Sequence, residues 1–173
     1  SLLWRDPSVD GLKTGHTEEA GYCLVASAKR ENTRFIAVVM GASSSEARAQ
    51  EVQKMLNYGF RYYESERLFG AGQELMEARV WGGQSDQLSV GLPEDVFVTI
   101  PRGTRNQLES VVDLDSVIKA PIQAGDELGR VKVSLNGTVL VDRPVLALDD
   151  VPEGGFFKRI WDAIKLFFVQ LFQ

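Results

Sequence analysis

Near its start the chain carries the stretch Val9-Asp10-Gly11-Leu12-Lys13-Thr14-Gly15-His16-Thr17, in which residue type and spacing together imply chemistry. A lysine ammonium and a threonine hydroxyl are adjacent at Lys13 and Thr14, and an imidazole follows at His16. Gly15 lets another backbone approach closely. We therefore expect this segment to form one wall of an anion-recognising cleft, with a solvated surface strand as the alternative.

Two apolar segments follow this stretch and have the composition of β-strands. They are residues 21–28 and 34–41, joined by the polar residues 29–33, which have the length of a hairpin connection. The segment around Val9 and Leu12 is predicted to be a third, neighbouring strand. The first apolar segment is too hydrophobic to face water on both sides, so a covering layer is expected.

A long amphipathic helix is predicted to supply that layer. Ser43 and Glu46 have the spacing of a capping box, and the helix body is expected from Ala47 to about Tyr63. Apolar residues recur three or four positions apart along one face: Val52, Met55, Leu56, Phe60 and Tyr63. This spacing is typical of a core face, not of a cofactor site.

In residues 65–152, short strand-like segments alternate with glycine and proline residues that would interrupt a strand. The predicted strands are residues 77–81, 87–90, 96–100, 108–112, 128–134 and 139–143. Such regular spacing favours an antiparallel β-sandwich. The acidic residues here are scattered, not grouped at metal-ligand spacing, so no metal or cofactor is expected. A spacer or partner-docking platform is the most that fold-level analogy allows for this part of the chain.

Composition limits the classes of partner. The 173-residue chain has a formal net charge of −5, and residues 65–152 carry 14 acidic against 8 basic side chains, which argues against a nucleic-acid partner. The single cysteine, Cys23, excludes an intrachain disulfide and a cysteine-based metal site, and it is expected to be a small buried strand residue. No apolar run of about 18 residues is present, so no membrane-spanning segment is predicted.

The last segment, residues 153–173, is predicted to be an amphipathic helix behind a Gly-Gly break. On a helical wheel one side carries Lys158, Arg159, Asp162, Lys165, Gln170 and Gln173. The other side carries Phe156, Phe157, Ile160, Trp161, Ala163, Ile164, Phe167, Phe168, Leu171 and Phe172, while Leu166 and Val169 intrude on the polar side. Large aromatics opposite a mostly cationic face favour a helix lying in a membrane interface. The alternative is a helix packed on the protein's own core.

The stretch Val9–Thr17, followed by Leu24–Ala28 and Ile36–Ala42, resembles the end of the penicillin-recognising domain of low-molecular-mass penicillin-binding proteins. These are the serine D-alanyl-D-alanine carboxypeptidases of the penicillin-binding protein 5 and 6 type, and K-T-G is one of their elements. The resemblance implies an α+β chain. Residues 1–64 would be the C-terminal part of a transpeptidase-like, β-lactamase-like catalytic domain with an antiparallel hairpin and a long helix. Residues 65–152 would be an all-β sandwich domain, and residues 153–173 an amphipathic membrane-anchor helix.

The resemblance also implies roles for the opening motif. In the family S-x-x-K, S-x-N and K-T-G meet in one cleft, in that chain order. Lys13 would bind substrate and support the serine electrostatically, while Thr14 and His16 would hold the terminal carboxylate of a D-Ala-D-Ala stem peptide. The strand backbone through Gly15 would pair with that peptide. The backbone N–H of His16 would form half of an oxyanion hole.

The other two elements should precede Lys13, where only twelve residues stand. Literal matches at residues 116–119 and 134–136 are in the wrong order and lie in strand-like sequence. The second of them also runs into a predicted tight turn at residues 135–138. We reject them as catalytic elements. Because Ser1 is not a start methionine and S-x-x-K is missing, we expect the chain to be the C-terminal part of the enzyme and inactive alone.

The hydrophobic surface of the last segment would be the anchor that the family carries, formed by Phe157, Ile160, Trp161, Ile164, Phe167, Phe168 and Leu171. The expected function of the whole protein is removal of the terminal D-alanine from peptidoglycan stem peptides, with acylation by β-lactams, at the periplasmic face of the bacterial inner membrane. Two alternatives are a β-lactamase-related hydrolase and a non-catalytic, membrane-tethered binding module.

Overall fold

The structure is a computed structural model that describes residues 2–171, and it is mostly β-sheet with three α-helices. Its contacts divide the chain into two units. The first unit runs to Glu66 and adds Thr99–Asn106, while the second contains Arg67–Val98 and the residues from Gln107 onward.

Three antiparallel strands form the sheet of the first unit. They are β1 (Val9–Thr17), β2 (Gly21–Arg30) and β3 (Thr33–Ala42), in the spatial order β1-β2-β3, so the predicted hairpin and its third strand are confirmed. A short helix, α1 (Leu2–Arg5), precedes them. Cys23 lies in β2 but is only partly buried, which corrects the expectation of a buried thiol.

Helix α2 (Ser45–Tyr62) follows the sheet and begins one residue later than a cap at Ser43 requires. The cap is Ser44, whose Oγ accepts a 3.0 Å hydrogen bond from the Ala47 N–H. The predicted Ser43–Glu46 capping box is therefore wrong. Because Glu46 is then only two residues past the cap, its carboxylate is free to form an ion pair with Arg5 at 2.7 Å.

The buried face of α2 packs on the sheet. Its buried residues are Val52, Leu56, Gly59 and Phe60, and the core that they share with the sheet also contains Leu2, Val9, Leu24, Ala26, Ala28 and Ala37. Met55 is instead half exposed and Tyr63 begins the next strand, so these two members of the predicted stripe are wrong. Gly59 allows close packing, since a Cβ there would lie 3.0 Å from the Phe35 ring.

The second unit is built on a six-stranded sheet. The remaining strands of the chain are β4 (Tyr63–Phe69), β5 (Glu74–Trp81), β6 (Gln87–Gly91), β7 (Val96–Pro101), β8 (Leu108–Leu114), β9 (Ile118–Lys119), β10 (Glu127–Leu135) and β11 (Thr138–Ala147). The six-stranded order is β8-β10-β11-β6-β5-β9, and β4 pairs with β7 in a separate two-stranded sheet. Neither β4 nor β9 was expected from the sequence.

Alternation along the strands fills the interior of the second unit. Fully buried valines at 80, 90, 131, 133 and 145 come from four of its strands, together with Leu92. The predicted turn after β10 is present, with φ of 51° at Asn136 and 78° at Gly137. Ser134 lies in β10 and Lys119 in β9, so neither rejected motif starts a helix.

Helix α3 (Phe156–Leu171) ends the described chain. The side chains of α3 are described as far as Gln170. The expectations for the Leu171 side chain, Phe172 and Gln173 therefore lie outside the described residues.

Candidate functional site

The K-T-G segment lies on an exposed edge of the first unit. β1 is paired with β2 on one side, and within residues 2–171 no strand pairs with its other side. Every residue from Leu12 to Thr17 is exposed to solvent. An edge strand presents unpaired N–H and C=O groups, so the backbone here can pair with an extended peptide.

The strand register assigns Lys13 and Thr14 to opposite faces of the sheet. Lys13 stands opposite Val25, while Thr14 stands opposite Leu24, a core residue on the α2 side. Directly paired residues share a face, and successive residues alternate. Lys13 therefore lies on the face that α2 does not cover, where its Nζ donates a 2.7 Å hydrogen bond to the Thr14 carbonyl oxygen.

That uncovered face is apolar. Ile36, Val38 and Met40 alternate along β3 and are 63%, 50% and 77% exposed, and Val38 pairs with the Val25 that faces Lys13. A strand that is apolar on both faces is typical of a sheet with a layer on each side. The first unit thus presents one covered face and one face suited to a further layer of protein.

His16 is held by contacts that the sequence did not predict. Its ring stacks on Tyr22, with centroids 3.9 Å apart and planes 15° apart. The guanidinium of Arg48, in the first turns of α2, lies 5.5 Å from the centre of the Tyr22 ring. These three side chains form a short stack beside the motif.

Arg48 also fixes the backbone of the motif. Its Nη1 donates hydrogen bonds to the carbonyl oxygens of Gly15, at 2.8 Å, and Cys23, at 3.1 Å. The Gly15 carbonyl and the His16 N–H belong to one planar peptide group and point in opposite directions. Arg48 therefore sets the direction of the His16 N–H. No helical periodicity distinguishes Arg48 from other polar residues of α2, so sequence reasoning missed it.

The fold gives no reason for a glycine at position 15. A Cβ built there would meet only the Cys23 Cβ among the described residues, at an ordinary contact distance of 3.9 Å. Gly15 also lies on the Lys13 side of the strand, because residues two apart share a face. The missing side chain leaves room for a ligand backbone beside Lys13.

A groove of about 530 Å³ adjoins the motif within the first unit. Its lining includes Lys13 and Thr14 of β1 together with Ser45, Glu46 and Arg48 at the start of α2. It supplies a concave surface with both charged and hydroxyl groups next to the K-T-G segment.

Helix α3 forms a second candidate site, and its polar side contacts the protein. Asp162 and Leu166 are 6% and 7% exposed, one turn apart, and they face the edge of the six-stranded sheet near Gly82. The Gly82 N–H donates to Asp162 Oδ2 at 3.1 Å, and Lys158 pairs with Asp86 at 2.9 Å. The helix therefore docks through its polar side, and Leu166 is part of that contact.

The opposite side of α3 is apolar and exposed. Its large side chains are between 45% and 85% exposed: Phe156, Phe157, Ile160, Trp161, Ile164, Phe167 and Phe168. Monomeric proteins rarely leave so many large apolar side chains together in water. This surface, which we call the α3 apolar face, is suited to a lipid or protein surface.

Two negative observations apply to the described part of the chain. No helix within residues 2–171 has the length and apolar character needed to cross a membrane. Over the same residues, histidine, cysteine and acidic side chains nowhere gather in a group of three that could hold a metal ion.

Two protein families match different parts of the chain. The family described as penicillin-binding protein 5, C-terminal domain, matches residues 63–153. The family described as D-alanyl-D-alanine carboxypeptidase matches residues 1–44, which include the K-T-G segment.

Curated relatives carry the same description. The D-alanyl-D-alanine carboxypeptidase DacA of Escherichia coli strain K12 is 42% identical over 169 residues, covering 96% of this chain and 42% of the relative. DacC of the same strain is 39% identical over 173 residues, covering 99% of this chain and 43% of the relative. The chain thus spans about two fifths of the length of these relatives.

Solved structures agree with the fold. The crystal structure of penicillin binding protein 5 from Haemophilus influenzae superposes with a TM-score of 0.80 at 38% identity, covering 88% of this chain and 45% of that one. The D-alanyl-D-alanine carboxypeptidase DacD from Francisella tularensis gives a TM-score of 0.60 at 31% identity, over 88% of this chain and 38% of that one.

Proposed function

This chain belongs to the penicillin-binding protein 5 family, and on that premise we propose that it is the C-terminal part of a serine-type D-alanyl-D-alanine carboxypeptidase. The whole protein would remove the terminal D-alanine from peptidoglycan stem peptides, and β-lactams would acylate it as substrate mimics. Its serine would attack the peptide carbonyl, D-alanine would leave, and water would hydrolyse the acyl-enzyme.

One observation carries this proposal: the K-T-G segment lies on a free sheet edge, with Lys13 on the uncovered apolar face. A layer of protein carrying the serine would pack against that face and bring the nucleophile close to the Lys13 ammonium. The exposed Ile36, Val38 and Met40 supply the apolar surface that such a layer needs.

The residue roles are those that the family resemblance implies, and the placement of the segment supports them. Lys13 would stabilise the anionic groups of substrate and transition state from one face of the strand, and Thr14 and His16 would contribute to carboxylate binding. The His16 N–H, aimed by Arg48 through the Gly15 peptide, would donate to the oxyanion. Removing one such donor from an acyl-transfer site costs about 3 kcal/mol.

The proposal extends to the domain organisation. Residues 1–64 would complete a penicillin-recognising domain, residues 65–152 would form a β-sandwich domain, and residues 153–173 would form the anchor. The separate family matches over residues 1–44 and 63–153 support the first two of these parts.

We also assign the α3 apolar face to a membrane surface, at the periplasmic side of the bacterial inner membrane. Its aromatic side chains point away from the unit on which α3 is docked. An amphipathic helix of this kind lies in the plane of the interface and buries its apolar side among the acyl chains.

The test of the enzymatic proposal uses the protein extended upstream of Ser1, with release of D-alanine from a D-Ala-D-Ala peptide as the readout. We expect D-alanine release that is lost in Lys13→Ala, and only slow hydrolysis of penicillin. Fast penicillin turnover without D-alanine release would favour a β-lactamase-related hydrolase. An extended protein without an S-x-x-K element would favour a binding module.

A further inference from the structure

A groove of about 400 Å³ runs along one flank of α3, where the helix meets the edge of the six-stranded sheet. Trp81 of β5 and Lys119 of β9 line it from the sheet. These two residues are partners in the parallel β5–β9 pair, and the Ala120 N–H donates to the Trp81 carbonyl oxygen at 3.0 Å. The sheet side of the groove is thus held in place by backbone hydrogen bonds.

We call the buried residues Asp162 and Leu166 the docked stripe of α3. The helix side of the groove lies between this docked stripe and the α3 apolar face. Successive residues of a helix are about 100° apart. Arg159, Ala163 and Gln170 therefore project between Leu166, which is buried against the sheet, and Phe167, which belongs to the apolar face. A helix lying in a membrane interface would hold this flank at the level of the lipid headgroups.

The lining is cationic where it is accessible. Lys119 is exposed and, within residues 2–171, forms no ion pair. Arg159 pairs with Glu153 at 2.6 Å through Nη1, which leaves its other guanidinium N–H groups available. The carboxylate in the lining, that of Asp162, is 6% exposed and accepts the Gly82 N–H. Its charge is largely turned away from solvent.

We propose that this groove binds the phosphate of an anionic phospholipid headgroup, with Lys119 and Arg159 as the cationic contacts. The inference rests on the proposed membrane association of α3 and adds to it a defined headgroup site on the β-rich unit. Gln170 supplies an amide donor for the polar part of the headgroup, and Ala163 and Phe167 connect the groove with the α3 apolar face.

A free phosphate ion shares this chemistry, but the lining favours the lipid. Ala163, Leu166 and Phe167 give the helix side of the groove an apolar wall. An acyl chain attached to the bound headgroup would pass along Phe167 onto the exposed apolar face, whereas an isolated anion would leave that wall in water.

The experiment measures binding of the 173-residue chain to vesicles of phosphatidylcholine alone and of phosphatidylcholine with phosphatidylglycerol. Lys119→Ala removes the proposed contact and Lys119→Arg keeps the charge. Lys132→Ala removes an exposed lysine of β10 as the matched control. A further arm follows titration with inorganic phosphate in the absence of vesicles.

We expect tighter binding to the anionic vesicles, weakened about fivefold by Lys119→Ala. Lys119→Ala should leave binding to phosphatidylcholine alone unchanged. Lys119→Arg and Lys132→Ala should bind both kinds of vesicle as tightly as the wild type does. An equal loss of binding to the anionic vesicles in Lys119→Ala and Lys132→Ala would overturn the headgroup site but not the membrane anchor. Saturable phosphate binding at Lys119 without a preference for the anionic lipid would overturn the lipid assignment. Absence of binding to either vesicle would overturn both the anchor and the site.

Discussion

The Arg48 guanidinium donates a 2.8 Å hydrogen bond to the carbonyl oxygen of Gly15, and so joins helix α2 to the exposed K-T-G strand. The same nitrogen donates to the Cys23 carbonyl on the neighbouring strand. Because one side chain contacts both strands, it holds the Gly15–His16 peptide at a fixed angle to the sheet. This peptide carries the N–H that we assign to the oxyanion.

Replacing Arg48 should impair acylation. We expect Arg48→Ala, in the protein extended upstream of Ser1, to slow acylation by penicillin at least about tenfold, because hydrogen bonds to charged groups contribute about 1.5–3 kcal/mol. Rates of labelling by a fluorescent penicillin measure this effect. Lys54→Ala, at an exposed position of α2, is the control. An acylation rate equal in the two variants would rule out a positioning role for Arg48.

The α3 apolar face should dominate membrane binding. Phe168→Ala is expected to weaken binding to vesicles about tenfold, since burying a phenylalanine side chain contributes about 1.5–3 kcal/mol. Removal of the residues after Val151 should abolish sedimentation with vesicles. Phe97→Ala removes an aromatic of similar exposure in β7 and should have no effect. Unchanged sedimentation of the truncated chain would refute the anchor.

Asp162 should hold α3 against the sheet. Its Oδ2 accepts the Gly82 N–H at 3.1 Å, and Asp162→Ala leaves that donor without its partner. We expect hydrogen exchange of the Gly82 amide to become about tenfold faster, since an unpaired polar group of this kind costs about 1–3 kcal/mol. Asp149→Ala, at an exposed site of the same unit, is the control. Equal exchange rates in wild type and Asp162→Ala would contradict this docking contact.

Asp6 should contribute pH-dependent stability. The Ser8 hydroxyl, 2.6 Å from Asp6 Oδ1, and then the Arg30 guanidinium lower the pKa of this carboxyl below its ordinary value. A lowered folded-state pKa gives stability that is fully present above the unfolded pKa, near about 4, and is lost as the pH falls through the folded pKa.

The corresponding measurement is urea unfolding of wild type and Asp6→Asn between neutral and acidic pH. We expect the variant to be less stable at pH 7, with a difference that narrows below about pH 4. Glu19→Gln, exposed in the β1–β2 turn, is the control. A difference that stays constant with pH would show that the Asp6 charge does not contribute.

Periodicity accounts for what the sequence predicted well. The apolar composition of residues 21–28 and 34–41 matches β2 and β3, and the apolar spacing at Val52, Leu56 and Phe60 matches the buried face of α2. These features are local, so a short window of sequence contains the information that determines them.

Tertiary contacts determine the features that the sequence did not predict. Three consecutive serines, 43–45, each offer a cap oxygen, and the packing of α2 selects Ser44. The wheel of α3 separates polar from apolar residues but does not say which side meets the protein. Asp162 and Leu166 form the docked stripe because they meet Gly82 and the edge of the sheet. Gly82, which donates the hydrogen bond to Asp162, is 80 residues away in sequence.

The K-T-G segment has features of both kinds, some that the sequence predicted and some that it did not. Its residue types predicted a chemistry, which stays a prediction, and the structure shows the segment on an edge strand. Its support by Arg48 depends on a contact between residues 33 apart in sequence, which has no sequence signal.

The most direct test of the central proposal is covalent labelling by a fluorescent penicillin, applied to the 173-residue chain and to the protein extended upstream of Ser1. We expect a labelled band for the extended protein, lost in Lys13→Ala, and no labelling of the 173-residue chain. Covalent labelling of the 173-residue chain, or an extended protein that stays unlabelled, would contradict it.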